Sequence, residues 1–353
     1  MKIMDAFSGE TGPMDRRSFL KLSGILGLGM ASAGIIPATA EAVKFNRKLY
    51  KVSETRLAMG TFVSMTLIHP NKDQAEEAMG MAFDEIHRLT GLLNRFDDKT
   101  AVGQLNKDGY LKDIPSEMTE VVAAALHYHQ MSQGTFDITV KPLVDLFEEK
   151  LGGKNQLLPT QKEIKHALEL VGSQKIRLSE GKIIFQKPGM GITLDGIAKG
   201  YVVDQVSERL SEYKIENHLI NAGGDIRTKG AKADNRPWMV AIEDPSKAKN
   251  YPDIIQMRDG AVATSGNYEI FYDREKMFHH IVDPNSGLSP DLKNSVSVRA
   301  ETTMEADALS TSVFVMNPVK GIEFMNALPR CEGLVVAKDG SLLKSRGWKS
   351  AAK

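Results

Sequence analysis

The amino-acid sequence predicts an α+β fold in which antiparallel-rich sheets are flanked by helices. Helical periodicity dominates the first half of the chain and short β-branched runs the second. The two do not alternate regularly, as they would in a doubly wound sheet. The 353 residues include 45 basic and 45 acidic side chains and are 42% hydrophobic, which excludes disordered, collagenous and polytopic membrane classes. The length exceeds the roughly 250–300 residues at which one core stops growing, so two lobes or two fused domains are expected. A weak boundary falls at 151–159 (LGGKNQLLP), where Gly, Asn and Pro cluster. A formal charge of zero argues against general nucleic-acid binding. The single cysteine, Cys331, excludes an internal disulfide and Cys-based zinc.

Residues 1–40 read as an address. Arg16 and Arg17 precede a mild apolar stretch at 22–36 rich in Gly, Ala and Ser, and 38–40 (ATA) is an A-x-A site. This is a secretory signal of the twin-arginine kind, and the apolar stretch is shorter than the roughly 20 residues needed to span a membrane. The remainder, 41–353, is expected to fold before export and to work outside the cytoplasmic membrane.

Along that remainder, 61–68 (TFVSMTLI) predicts a strand. Residues 74–93 carry apolar side chains at helical spacing, with Asp73 as N-cap. A second helix covers 116–133 and stops at Gly134. Thr160 and Glu163 form a capping box for a third helix that runs to Gly172. Strands follow at 176–178 and 182–186, then a helix at 198–210. Strands are expected at 218–221, 238–242, 261–264, 268–272 and 295–299, and a helix at 305–316 before Pro318. A short helix and a hairpin turning at Asp339 and Gly340 close the chain.

Small polar residues gather at 221–225 (NAGGD), 264–268 (TSGNY) and 279–287 (HHIVDPNSG). Each alone reads as a turn. Three within so short a span, each beside strand-like sequence, point to a pocket whose exposed N–H groups receive phosphate oxygens. Asp307 and Thr311 lie one helical turn apart, so both oxygens can reach one hard cation. Alternatively, Asp307 is a first-turn acid facing the helix dipole and Thr311 bonds back to its own helix. Gly196 to Gly200 (GIAKG) opens a helix, where backbone amides and Lys199 suit a pyrophosphate. Walker and GxGxxG motifs are absent. His87, His127 and His129 read as surface or core polar residues.

In order, these segments resemble the ApbE-like family, the FAD:protein FMN transferases. The resemblance rests on Met59-Gly60-Thr61, Arg95-Phe96 with Asn106, 134–137 (GTFD), 196–200 with Asp204, 221–225, 264–266 (TSG), 280–284 (HIVDP) with Gly287, and 306–311 (ADALST). It implies a T-fold-like α+β fold, FAD as donor and Mg²⁺. The metal ligands would fall on Asp307, Thr311 and the Ala198 carbonyl, and the general base on His280. Lys199 would act in catalysis and hold phosphate with Gly196. Met59, Phe96, Asp137, Asn221, Gly223, Gly224, Thr264 and Ser265 would line the flavin site.

The implied reaction moves FMN from FAD to a threonine hydroxyl of an acceptor flavoprotein, a subunit of a membrane electron-transport complex, and releases AMP. A Mg²⁺-dependent FAD pyrophosphatase and a non-catalytic exported FAD-binding protein are the alternatives. The chain departs from the family's pattern twice. It has Thr193-Leu194-Asp195-Gly196 where the family has Asp-Leu-Gly-Gly, and the segment 92–95 (LLNR) lacks the family's usual Ser-Thr before the aromatic residue.

Overall fold

Side-chain periodicity along the strands separates two of the three apolar clusters among the described residues. The computed structural model describes residues 48–151, 157–232, 234–244, 251–266, 281–290, 294–337 and 339–351, with the backbone of 14–15, 41–44 and 250. In chain order the first part gives β1 (Glu41–Lys44), β2 (Tyr50–Ala58), β3 (Thr61–His69), α1 (Lys72–Leu93), α2 (Ala101–Asp108), β4 (Tyr110–Lys112) and α3 (Ser116–Met131). The middle gives α4 (Lys141–Leu151), α5 (Gln161–Leu168), β5 (Ile176–Ser179), β6 (Lys182–Phe185) and α6 (Ala198–Glu212). The last part gives β7 (His218–Ala222), β8 (Asp225–Lys229), β9 (Trp238–Ile242), β10 (Asp253–Met257), β11 (Gly260–Gly266) and β12 (Ser295–Ala300). It ends with α7 (Thr303–Val315), α8 (Pro318–Ala327), β13 (Glu332–Val336) and β14 (Leu342–Lys344).

Nine strands form an antiparallel sheet in the order β14-β13-β12-β11-β8-β7-β3-β2-β1. Because successive side chains point to opposite faces, Val63, Met65, Leu67, Ile220, Ala222, Ala261, Ala263, Val296 and Val298 enter the larger core. There they meet the apolar sides of α1, α6 and α7. Ile68, Leu219, Ile226, Val262, Leu334 and Val336 face the other way and are covered by the β9–β10 hairpin through Trp238, Val240, Ile255 and Met257. A third cluster joins α4, α5 and Val282. The α+β expectation holds, with antiparallel sheets and flanking helices.

Several boundaries differ for local reasons. Asn71 caps α1, its side-chain oxygen accepting the Gln74 N–H at 3.1 Å, while Asp73 sits inside the first turn. The capping box at Thr160 and Glu163 is present, but α5 ends at Leu168 because i→i+3 bonds from Leu170 and Val171 tighten the chain into turns. Helix α7 starts at Thr303, two residues before its expected start, because Thr302 caps it. Strand β2 escaped sequence reading since only Val52 of its nine residues is fully buried. Helices α2 and α4 are short, and the strand expected at 268–272 lies outside the described residues.

Candidate active site

Helix α7 is fixed against α6 before any ligand is considered. The Asp204 carboxylate on α6 accepts the Thr303 and Met304 N–H groups at 2.8 Å each, so it closes the first turn of α7. The two helices meet at Gly200. A Cβ there would stand 2.5 Å from the Thr303 carbonyl and 2.7 Å from Met304 Cα, so only glycine permits the approach. That closeness lets the Gly200 N–H donate to Asp307 Oδ2 at 3.1 Å. Asp307 lies in the second turn, and the acid of the first turn is Glu305. The dipole-facing alternative for Asp307 is thus corrected, because the helix begins earlier than its periodicity indicated.

A second acid faces the same place. Strands β7 and β8 join through Gly223 and Gly224, both left-handed at φ 63° and 105°, in a two-residue hairpin with Ala222 opposite Asp225. A Gly223 Cβ would lie 2.5 Å from Thr61 Oγ1. The Gly224 N–H is used by Asn221 Oδ1 at 3.0 Å. The turn therefore delivers Asp225, as the first residue of β8, into the interior. Asp225 and Asp307 are 2% and 4% exposed. Lys199 Nζ lies 3.1 Å from Asp225 Oδ2 in a poorly directed ion pair, and that oxygen accepts no hydrogen bond among the described residues.

Burial, with the charge of neighbouring Asp225, pushes the Asp307 carboxyl well above the usual carboxylate range. Burial also raises Asp225, against the pull of Lys199. Two buried acids thus share one lysine, an arrangement that stays short of positive charge.

Hydroxyls complete the wall. Ser265 Oγ on β11 lies 2.8 Å from Ser310 Oγ and 3.2 Å from Thr311 Oγ1. Ser310 and Thr311 therefore both reach the sheet, Ser310 also donating back to the Asp307 carbonyl, whereas Ser312 donates only back along α7 to the Ala308 carbonyl. Thr264 Oγ1 meets Ser297 at 2.8 Å. Gly196 is needed beside Thr311, since a Cβ would come within 3.0 Å of Oγ1. Asn106 holds the segment leading to Gly196 by bonding both backbone groups of Ile192, at 2.7 and 2.9 Å.

The resulting cleft holds about 750 Å³, including solvent at its mouth. It brings together Asp137, Gly196, Lys199, Thr264, Ser265, Asp307 and Thr311, seven of the residues expected from sequence. Asp225, Asp195, Thr193 and Phe136 also line it and were not among the expected site residues. Asp225 had only its place in NAGGD to mark it. Met59, Phe96, Ala198, Asn221, Gly223 and Gly224 are not part of the cleft wall. Met59 (φ 52°) and Gly60 make the β2–β3 turn, beside the Gly223 turn. Phe96 is 73% exposed, and Ala198 begins α6. His280 lies outside the described residues, although Ile281 and Val282 line the cleft.

Asp137 stiffens its part of the wall. Its carboxylate accepts bonds from the Thr139 N–H and hydroxyl at 2.8 and 2.5 Å, and from the Ser173 N–H and hydroxyl at 2.9 and 2.7 Å. His129 Nδ1 lies 3.2 Å away. Burial opposes its charge, but the bonds from His129, Thr139 and Ser173 hold the carboxyl below its ordinary value. The hydrogen bond to Asp137, partly offset by burial, raises His129 above 6.5.

A histidine raised on folding contributes stability that is whole below its unfolded pKa and is lost as pH rises through the folded one. Thermal midpoints should therefore fall as pH climbs from about 6.5. His129→Gln should flatten that slope, and an unchanged slope in the variant would refute the pairing. At the acid end Asp137 contributes above about 3.8, and its share is lost as pH falls through its lower folded value.

Fold and cleft together define a polar site with a buried acid pair on an antiparallel α+β scaffold. Sequence comparison gives that class a family. The ApbE family model matches residues 59–335, and the chain belongs to that family. The FAD:protein FMN transferase of Haemophilus influenzae is 32% identical over 240 residues, 65% of this chain and 67% of that one. The enzyme of the same name from Salmonella typhimurium is 28% identical over 305 residues, 83% and 85% of the two chains. The crystal structure of an ApbE protein from Thermotoga maritima superposes with a TM-score of 0.76 at 28% identity, covering 84% of this chain and 97% of that one. The apo flavinyl transferase ApbE of Pseudomonas stutzeri gives 0.73 at 25% identity, over 85% and 94%.

Proposed function

We propose that this chain is an FAD:protein FMN transferase that moves FMN from FAD to a threonine hydroxyl of an acceptor flavoprotein. The observation that carries this reading is the buried Asp225–Asp307 pair, raised by burial and short of positive charge, at the floor of a hydroxyl-lined cleft. Such a pair costs stability unless a cation joins it, and the relatives named FAD:protein FMN transferase supply the reaction.

The donor set fits Mg²⁺. That ion takes a few protein oxygens and leaves room for substrate phosphates. Asp307 and Thr311 would hold it, with Asp225 at hand; the Ala198 carbonyl, which the family resemblance adds to the set, belongs to the first residue of α6, outside the cleft wall. When bound, Mg²⁺ neutralises diphosphate oxygens and stabilises the leaving phosphate.

The protein's own groups do the rest. Lys199 and the helix N-terminus at Gly196 orient the diphosphate. His280 takes the proton of the attacking hydroxyl. A new P–O bond forms to the threonine as the bond from that phosphorus to the bridging oxygen breaks, and AMP leaves with that oxygen.

Incubation with FAD, Mg²⁺ and a candidate acceptor, followed by weighing the acceptor, tests the reading. A mass gain of one FMN is expected. FAD cleavage to FMN and AMP with no change in the acceptor would replace transfer by hydrolysis.

The acceptor class follows from the family resemblance and is a flavoprotein subunit of a membrane electron-transport complex. The Arg16-Arg17 signal supports export by the twin-arginine route to the periplasm or the outer face of the cytoplasmic membrane. Among the described residues no helix is long and apolar enough to cross a membrane. Arg16→Lys with Arg17→Lys should stop export, and continued secretion of the double variant would refute the route.

A further inference from the structure

An ion pair joins the connection after α1 to the segment that leads into α6. Arg95, in the connection between α1 and α2, donates from Nε to Asp195 Oδ2 at 3.1 Å across 100 residues of sequence. A second guanidinium nitrogen donates to Glu148 on α4 at 3.3 Å. The guanidinium carbon stands 4.0 Å over the Phe96 ring, and the Arg95 side chain is only 7% exposed. Two carboxylates and an aromatic face therefore fix one cation behind the cleft wall.

Asp195 itself lines the cleft beside Gly196 and Lys199, and its side chain is 47% exposed. Its charge adds to the repulsion at Asp307. With Asp137, Asp225 and Asp307 the cleft lining carries four acids, faced by Lys199. A diphosphate adds further negative charge to the same space. An unbalanced Asp195 would oppose such a ligand over several ångströms in a half-buried medium.

We propose that Arg95 and Asp195 are a compensated pair, in which Arg95 is a positioning residue that holds the Asp195 carboxylate against the wall and cancels its charge, so that the cleft accepts a diphosphate. The proposal rests on the functional reading above, and it assigns donor affinity in this chain to the ion pair between Arg95 and Asp195. Arg95 needs no contact with the ligand. Its effect passes through Asp195, so loss of the arginine should be repaired by loss of the acid.

The test is FAD affinity with Mg²⁺, read from flavin fluorescence, for the wild type, Arg95→Gln, Asp195→Asn and the double variant. Arg95→Gln should weaken binding by roughly ten- to a hundredfold, the scale of one uncompensated charge at short range. It should raise KM for FAD and leave kcat nearly unchanged. Asp195→Asn should bind as tightly as wild type or a few-fold more tightly, and the double variant should match it. A double variant as weak as Arg95→Gln, or an Arg95→Gln that binds normally, overturns the proposal. Should Arg95→Gln fail to fold, a double variant that folds and binds FAD supports the pair. One that also fails makes Arg95 structural and overturns it. If the wild type binds no FAD, the functional reading falls instead. The same four proteins are then compared by thermal protection with inorganic pyrophosphate, where the same rescue is expected and its absence refutes the pair.

Discussion

Asp307→Asn should nearly abolish flavin transfer while making the ligand-free protein more resistant to heat. The two effects have one cause. Asp307 is buried, close to Asp225, and raised well above the usual carboxylate range by that burial and that neighbour. An acid whose folded pKa exceeds its unfolded one is held less comfortably as an anion in the fold than in the open chain. Its ionisation therefore costs stability at neutral pH, and the cost disappears as pH falls towards 3.8. Asparagine removes the charge, keeps the shape, and still accepts the Gly200 N–H now made at 3.1 Å. Each kcal/mol relieved should raise the melting point by about 2–4 °C, as expected of a chain this long.

Activity moves the other way, because that unfavourable charge is what a divalent cation needs. Loss of one electrostatic anchor of a charged transition state commonly costs about 10²–10³-fold, and Asp307→Asn should lose at least that much. Thr311→Val should lose less, since a neutral oxygen binds a cation more weakly than a carboxylate. Mg²⁺ should raise the melting point of the wild type and leave that of Asp307→Asn unmoved. Full activity of the variant at limiting Mg²⁺, or a lower melting point, would make Asp307 a structural acid.

The parts of this site that sequence displays are those that depend on one element. Asp307 and Thr311 are one helical turn apart whatever surrounds them, and the structure places both on the cleft wall. Lys199 and Gly196 mark the opening of α6 for the same reason. The long helices and buried strands were legible from their periods, whereas β2, with only Val52 fully buried, was not.

The remainder is set by tertiary contact. Asp225 becomes a site acid because a Gly-Gly hairpin sets its register and β8 carries it inside. Nothing local separates that aspartate from a solvated turn residue. Asn221, Gly223 and Gly224 carry the same signal as a phosphate loop, because both require left-handed backbone and free space. In this fold Asn221 accepts the Gly224 N–H and the glycines make a tight turn. The partnership of Arg95 with Asp195 joins segments 100 residues apart, and neither residue hints at the other.

His280→Ala should lower transfer by roughly 10²–10⁴-fold, the usual span for a lost general base. An imidazole titrates near neutral pH, so it suits the removal of a proton from an attacking hydroxyl, and Ile281 and Val282, which follow it, line the cleft. FAD should still bind, because Lys199 and the GIAKG helix start do not depend on this residue. His279→Ala, the change at its sequence neighbour, is the control and should change little. Equal losses in both variants would mean that the wrong histidine is assigned. Hydrolysis of FAD should fall alongside transfer, since water and threonine need the same base. If transfer is lost while hydrolysis persists, His280 orients the acceptor protein, and the proton of the attacking hydroxyl goes to another group in the cleft.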